Sequence, residues 1–333
     1  MKAISQNRFP HAHLIIGADG VGKTTLAIDL ARTINCIGKL RPCGECKQCI
    51  RIVNGTHTDV KIIGPRDQFI DYEKSHSIIG IDEVRVIQRE SNLKPFEGRY
   101  RVFIFGNTNL LSQEAGNSLL KILEEPPKQV IFMLLAADLT RLLPTIVSRC
   151  QKVELGFVPL ALLAEEIGNR YKYKLEKTMD IARVSRGRPD HATEICENPE
   201  LISDFSEQLG TIEDAFHSGF DERFIYADHL VSMYASNRSS AFREIRLCLD
   251  WWRDVLLIKE DAEELAVHFP SFEIQSHMAT HLTSNQIIET IKCIQDSLIY
   301  LEQNVSPRLV MDNMMLSIPS PPNTNPKKSR ENS

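Results

Sequence analysis

The sequence has no long hydrophobic run, no surplus of basic charge and few aromatic residues. Its longest unbroken apolar stretch, residues 130–137, falls far short of the ~20 residues that a bilayer-spanning helix needs. The stretch ahead of Gly17 has too short an apolar segment for a secretory signal, so a soluble chain in the cytoplasm is expected. Lys and Arg number 39 against 44 Asp and Glu, a net charge of −5. That excludes nucleic-acid binding through bulk charge, and any DNA contact has to come from a local patch or from partners. Eight cysteines in 333 residues are too few for a disulfide scaffold. No internal repeat is apparent. What is present is ordinary globular apolar content, 42%, over a length that suits two domains or three small ones.

The first half alternates short apolar segments with helical patterns. Strands are expected at 13–16, 60–63, 101–105, 130–135 and 152–155, and helices at 23–34, 81–92 and 112–123, with a short one before Cys150. The strands are apolar across nearly their whole width, as in a parallel sheet covered on both faces. This reads as an α/β domain over 1–157. After Pro159 the texture becomes helical: 160–173, 178–184 and 190–197, then a long α-rich stretch from about 201 to 316. Trp251, Trp252, Val255, Leu256 and Ile258 lie there at helical spacing and are read as core. Residues 317–333, rich in Pro, Asn, Ser and Lys, are expected to be disordered.

Gly17-Ala18-Asp19-Gly20-Val21-Gly22-Lys23-Thr24 fits G-x4-G-K-[ST] without exception, between an apolar strand and an amphipathic helix. Such glycines let the backbone wrap so that its N–H groups face phosphate oxygens at a helix N-terminus. Gly17, Gly20, Gly22, Lys23, Thr24 and Thr25 are therefore candidate nucleotide-binding residues, with Lys23 reaching the outer phosphates and the Thr24 hydroxyl suited to Mg²⁺. ATP or ADP is the candidate ligand. Hydrolysis also needs acidic groups at the end of a neighbouring strand. After residues 101–105 come Gly106-Asn107, neither of which carries charge, so Mg²⁺ loses an anchor and the attacking water its base. Asp138 follows another strand but suits a loop better than a metal seat. No independent ATPase activity is expected.

Cys36-x6-Cys43-x2-Cys46-x2-Cys49 offers four soft ligands, with Pro42 and Gly44 supplying turn chemistry. Four thiolates satisfy tetrahedral Zn²⁺ with no open position, so a structural zinc site is expected. A ferredoxin-type cluster would want a cysteine where Val53 stands. His57 is the alternative fourth ligand should Cys36 point into the core.

Together these features resemble the AAA+ clamp-loader subunits of bacterial DNA polymerase III. The resemblance rests on the phosphate loop, the cysteine insert at 36–49 and Arg101-Val102-Phe103-Ile104-Phe105. It continues through Asn117-Ser118-Leu119-Leu120-Lys121-Ile122-Leu123-Glu124-Glu125-Pro126-Pro127 and Leu143-Pro144-Thr145-Ile146-Val147-Ser148-Arg149-Cys150. A weaker similarity reaches residues 301–309. The resemblance implies an AAA+ phosphate-loop domain at 1–157, a small helical lid domain at 158–200, an all-α collar domain at 201–316 and a tail at 317–333. It also implies that Arg149 projects as an arginine finger into a neighbouring motor subunit. Motor subunits of that family carry an acidic pair where Gly106-Asn107 stand, a polar sensor near Ala136-Ala137 and a sensor arginine near Asp190; all three are missing. The pattern is therefore similar to the family's rigid stator subunit, which joins motor subunits (gamma/tau) and the delta subunit in a hetero-pentamer. Through that complex it would meet the sliding clamp and primer-template DNA.

Other readings stand beside it. The alternative within the family is an ATP-hydrolysing gamma/tau-type motor subunit, against which Gly106-Asn107 argues. A small-molecule kinase leaves the cysteines and Ser148-Arg149-Cys150 unexplained. A zinc-containing DNA-binding module lacks a basic stripe around the insert. Lys121, Glu124 and Glu125 could be a solvated helix face and are assigned no role, while Arg149 could simply cap the short helix before it.

Overall fold

The structure, a computed structural model, describes residues 9–64, 79–140, 142–217, 219–266 and 272–319. Five parallel strands form one sheet: β1 (Ala12–Ile16), β2 (Val60–Ile63), β3 (Arg101–Phe105), β4 (Val130–Ala136) and β5 (Gln151–Glu154). Their order across the sheet is β2-β3-β4-β1-β5. Parallel neighbours need crossovers, and helices supply them: α1 (Lys23–Asn35), α2 (Lys47–Val53), α3 (Ile81–Ser91), α4 (Gln113–Glu124) and the short α5 (Pro144–Val147). Period-two alternation sends the strand residues to opposite layers. Leu14, Ile16, Phe103, Phe105, Phe132 and Leu134 pack with Leu119, Ile122 and Ile146 on one face. Ile15, Val102, Ile104, Ile131, Met133 and Leu135 pack with Ala27, Ala31, Ile34 and Ile52 on the other. Phe103 lies opposite Phe132 in the β3–β4 register, their rings stacked 5.6 Å apart. The apolar-on-both-faces expectation holds for the three central strands. The edge strands β2 and β5 are half open, because each has a neighbour on one side only, and Lys61, Gln151 and Lys152 face solvent there.

The remaining helices are α6 (Leu160–Tyr171), α7 (Leu175–Ser185), α8 (Pro189–Glu197), α9 (Glu200–His217), α10 (Phe220–Ser236), α11 (Arg238–Lys259), α12 (Phe272–His281), α13 (Ser284–Glu302) and α14 (Pro307–Ser317). The chain divides into two compact units. One comprises 1–166 with 187–193, the other 167–186 with 194–333, so segment 158–200 contributes to both. The core of the helical unit is built on Trp251 and Trp252, both fully buried and edge-on to each other at 5.3 Å, with Phe216 against both. Ser317 closes α14 and Ile318 is buried; residues 320–333 of the proline-rich tail lie outside the described residues. Among the described residues no helix is long and apolar enough to cross a membrane.

Candidate functional site

The carboxyl ends of parallel strands are where α/β sheets place ligands. Here the exits of β1, β3 and β4 lie at one edge of the sheet. The loop after β1 starts at Gly17, whose N–H donates to Ala136 O on β4 at 3.2 Å. A Cβ on Gly17 would lie 2.5 Å from Leu155 O, so only glycine fits that approach. Gly20 (φ 80°) and Gly22 (φ 92°) take left-handed conformations that other residues adopt only with strain. Gly22 is the N-cap of α1 and offers no side chain to the helix end. That leaves the first-turn donors to whatever anion approaches. Lys23 is nearly buried. Its Nζ donates to Gly17 O (2.7 Å) and Ala18 O (2.9 Å) and pairs with Asp19 at 3.3 Å. The loop is thus a cradle with a lysine folded over its rim, and it fits phosphate in shape and charge.

The β3 exit is different. Asn107 spends its Oδ1 on the Asn109 N–H at 3.1 Å, capping the 3-10 turn Thr108–Leu110. Asn109 then bridges to β4: its Oδ1 accepts from Ala137 N at 3.0 Å, and its Nδ2 donates to Asp138 O at 2.6 Å. Neutral amides therefore tie the two strand exits together at the place where a metal-anchoring pair would stand. The Asp138 carboxylate turns back on its own loop, accepting from Thr140 N and Thr140 Oγ1 at 2.8 Å.

Arg149 follows α5. One guanidinium nitrogen donates to Thr145 O at 3.0 Å, and another pairs with Glu124 at 2.6 Å. The helix-capping contact weighed from the sequence is made. The Glu124 partner is one that sequence reasoning left without a role.

The sulfurs of Cys36, Cys43, Cys46 and Cys49 all lie within 4.8 Å of one another, with Cys36–Cys43 at 3.5 Å and Cys43–Cys49 at 4.0 Å. Four thiolates at ~2.3 Å from one ion would be ~3.8 Å apart, so the set fits a single tetrahedral ion. Backbone N–H groups of Gly38, Cys46 and Cys49 point at Cys36, Cys43 and Cys46. Desolvation opposes ionisation of Cys46, yet such amides and the neighbouring thiols bring its pKa down to about 6. His57 takes no part: Nε2 donates to Gln48 Oε1 at 2.6 Å while Nδ1 accepts from Asp59 N at 3.1 Å. The alternative ligand set is thereby excluded, because both ring nitrogens are used elsewhere and Cys36 faces the other sulfurs. The insert is pinned to the sheet domain by Gln48 to Glu97 O (2.8 Å) and by the Arg51–Glu97 pair (2.6 Å).

A family model described as DNA polymerase III, delta subunit, matches residues 1–158. The chain is 26% identical over 320 residues to DNA polymerase III subunit delta' of Bacillus subtilis, covering 95% of this chain and 93% of that one. The chain is thus similar to DNA polymerase III subunits along most of its length. It is also 37% identical over 154 residues to the Bacillus subtilis tau subunit, of which it spans only 26%. The match to delta' thus runs along most of the chain, and the match to tau along less than half of it. A solved DNA polymerase III gamma subunit-related protein from Thermotoga maritima shares 18% identity over 95% of this chain and 96% of its own, with a TM-score of 0.47.

Proposed function

We propose that the chain is the delta-prime-type stator of a DNA polymerase III clamp loader. It binds ATP or ADP without cutting it, holds a structural zinc, and supplies Arg149 to a neighbouring motor subunit. The observation that carries this reading is the asymmetry at the sheet edge. The phosphate loop keeps every feature of an anion cradle, while the β3 exit holds Asn107 and Asn109 locked in amide contacts. Gly17, Gly20, Gly22, Lys23, Thr24 and Thr25 would hold the nucleotide; Mg²⁺ would find Thr24 but no carboxylate partner. Arg149, about one-third exposed on its side chain, would leave Glu124 to meet the neighbour's γ-phosphoryl group, where a guanidinium stabilises developing charge. Its partners would be gamma/tau motor subunits and delta in a hetero-pentamer that loads the sliding clamp on primer-template DNA in the cytoplasm.

The test is reconstitution with tau/gamma and delta. Arg149→Ala is expected to leave assembly intact while lowering DNA-stimulated ATPase by about a hundredfold or more. An unchanged rate would remove the finger role. The second reading, an ATP-hydrolysing gamma/tau-type motor subunit, is favoured by the higher identity to tau, 37% over 154 residues. It requires turnover by this chain that is lost with Lys23→Ala.

A further inference from the structure

Arg149 and Glu124 sit on two elements that the core holds at a fixed spacing. Gly116 on α4 lets Leu143, the N-cap of α5, come so near that an added Cβ would lie 2.9 Å from its Cδ1. Ile146 of α5 is buried with Leu119 and Ile122 of α4 in one cluster. At its far end α4 is tied again, His11 Nε2 lying 3.2 Å from Leu123 O. The helix ends on Glu124, where a helix C-terminus disfavours an acid and favours a cation. Arg149 supplies that cation from outside the helix. Its Nη2 pairs with Glu124 Oε1 at 2.6 Å, and its Nη1 donates to Thr145 O at 3.0 Å. Two of the guanidinium nitrogens are therefore spent within the chain, and the side chain is folded back along α5.

We propose that Glu124 is a positioning residue that parks Arg149 against its own subunit, so that the finger acts only once this ion pair is given up. The proposal rests on the arginine-finger reading above and adds what restrains it. A carboxylate and a phosphoryl group compete for the same planar fork of donors. With Glu124 still seated, an arriving γ-phosphoryl group meets a like charge across one guanidinium. Giving up the pair moves no backbone, because α4 and α5 stay packed on the core and only two long side chains rotate. The Arg149 side chain is 34% exposed and that of Glu124 50%, so water takes up both groups on release and the latch is weak enough to open. The cost of opening falls on the step in which Arg149 reaches the phosphoryl group, not on the binding of ATP by the neighbour.

ATP hydrolysis by the complex reconstituted with tau/gamma and delta tests this, with the present chain as parent, Glu124→Gln, Arg149→Ala and the double variant. Glu124→Gln keeps an acceptor at the same length and removes the charge. Its kcat is expected to rise about two- to fivefold, the strength of a half-exposed ion pair, with KM for ATP unchanged. Glu124→Ala, which removes the acceptor as well, should rise at least as far. In the Arg149→Ala background Glu124→Gln is expected to change nothing, since it acts only through the guanidinium. Thermal melting of each variant and its co-elution with the other subunits report folding and assembly. A kcat unchanged or lowered by Glu124→Gln, while Arg149→Ala slows the complex, would overturn the latch and leave the finger standing. A rise of equal size in both backgrounds would overturn it too, because the effect would not run through Arg149. An unchanged rate in Arg149→Ala would remove the finger reading and the latch with it.

Discussion

Single residues carry more of the site than their types announce. Asp59 is fully buried, and its carboxylate accepts from the amides of Phe96, Glu97 and Gly98 at 2.8 Å and from Arg101 at 3.3 Å. Burial alone would raise its pKa; the three amides and the Arg101 charge overcome that and lower it. With the folded value below the unfolded one of about 3.9, the stabilisation is complete above that pH and is lost as pH falls through the folded value. Asp59→Asn should therefore cost about 3 kcal/mol at pH 7, with the gap from the parent narrowing toward pH 3. Urea unfolding at the two pH values measures it, and equal stability at pH 7 would contradict it. None of this was legible beforehand, because Asp59 lies 37 to 42 residues from its partners and sequence spacing carries no such signal. The same holds for Glu124 beside Arg149 and for Asn109 bridging β3 and β4. The glycine loop and the four cysteines were legible, since each is a local pattern whose chemistry dictates its spacing.

At the scale of elements, the sheet strands and their crossover helices follow from apolar periodicity to within a residue or two. Helix α2 does not. It spans seven residues, too short to show a period, and is capped by Cys46 Sγ accepting from Cys49 N at 3.5 Å. A thiol stands outside the residues that usually announce a helix start. So short a helix is not stable alone, and α2 depends on the sulfur cluster and on its ties through Gln48 and Arg51. Purified reduced protein should carry about one zinc per chain. Cys46→Ser should lose the metal and the protection of α2 amides against hydrogen exchange, while the central strands stay protected. Metal analysis finding no zinc, or α2 equally protected in the variant, would contradict the structural-site reading.

For the whole molecule, the sequence pattern separates a sheet-built unit from a helical one because period two and period 3.6 cannot be confused over such lengths. It does not foresee that segment 158–200 contributes to both units, since which helix face packs where is a matter of tertiary fit. In the sheet unit a loop shaped for phosphate lies beside a strand exit stripped of acid. The most direct measurement is steady-state ATP hydrolysis by the purified full chain with Mg²⁺ and no other subunit, run beside nucleotide binding on the same preparation. We expect nucleotide to bind and hydrolysis to stay at background. Rapid turnover by the isolated chain, abolished by Lys23→Ala, would contradict the stator reading outright.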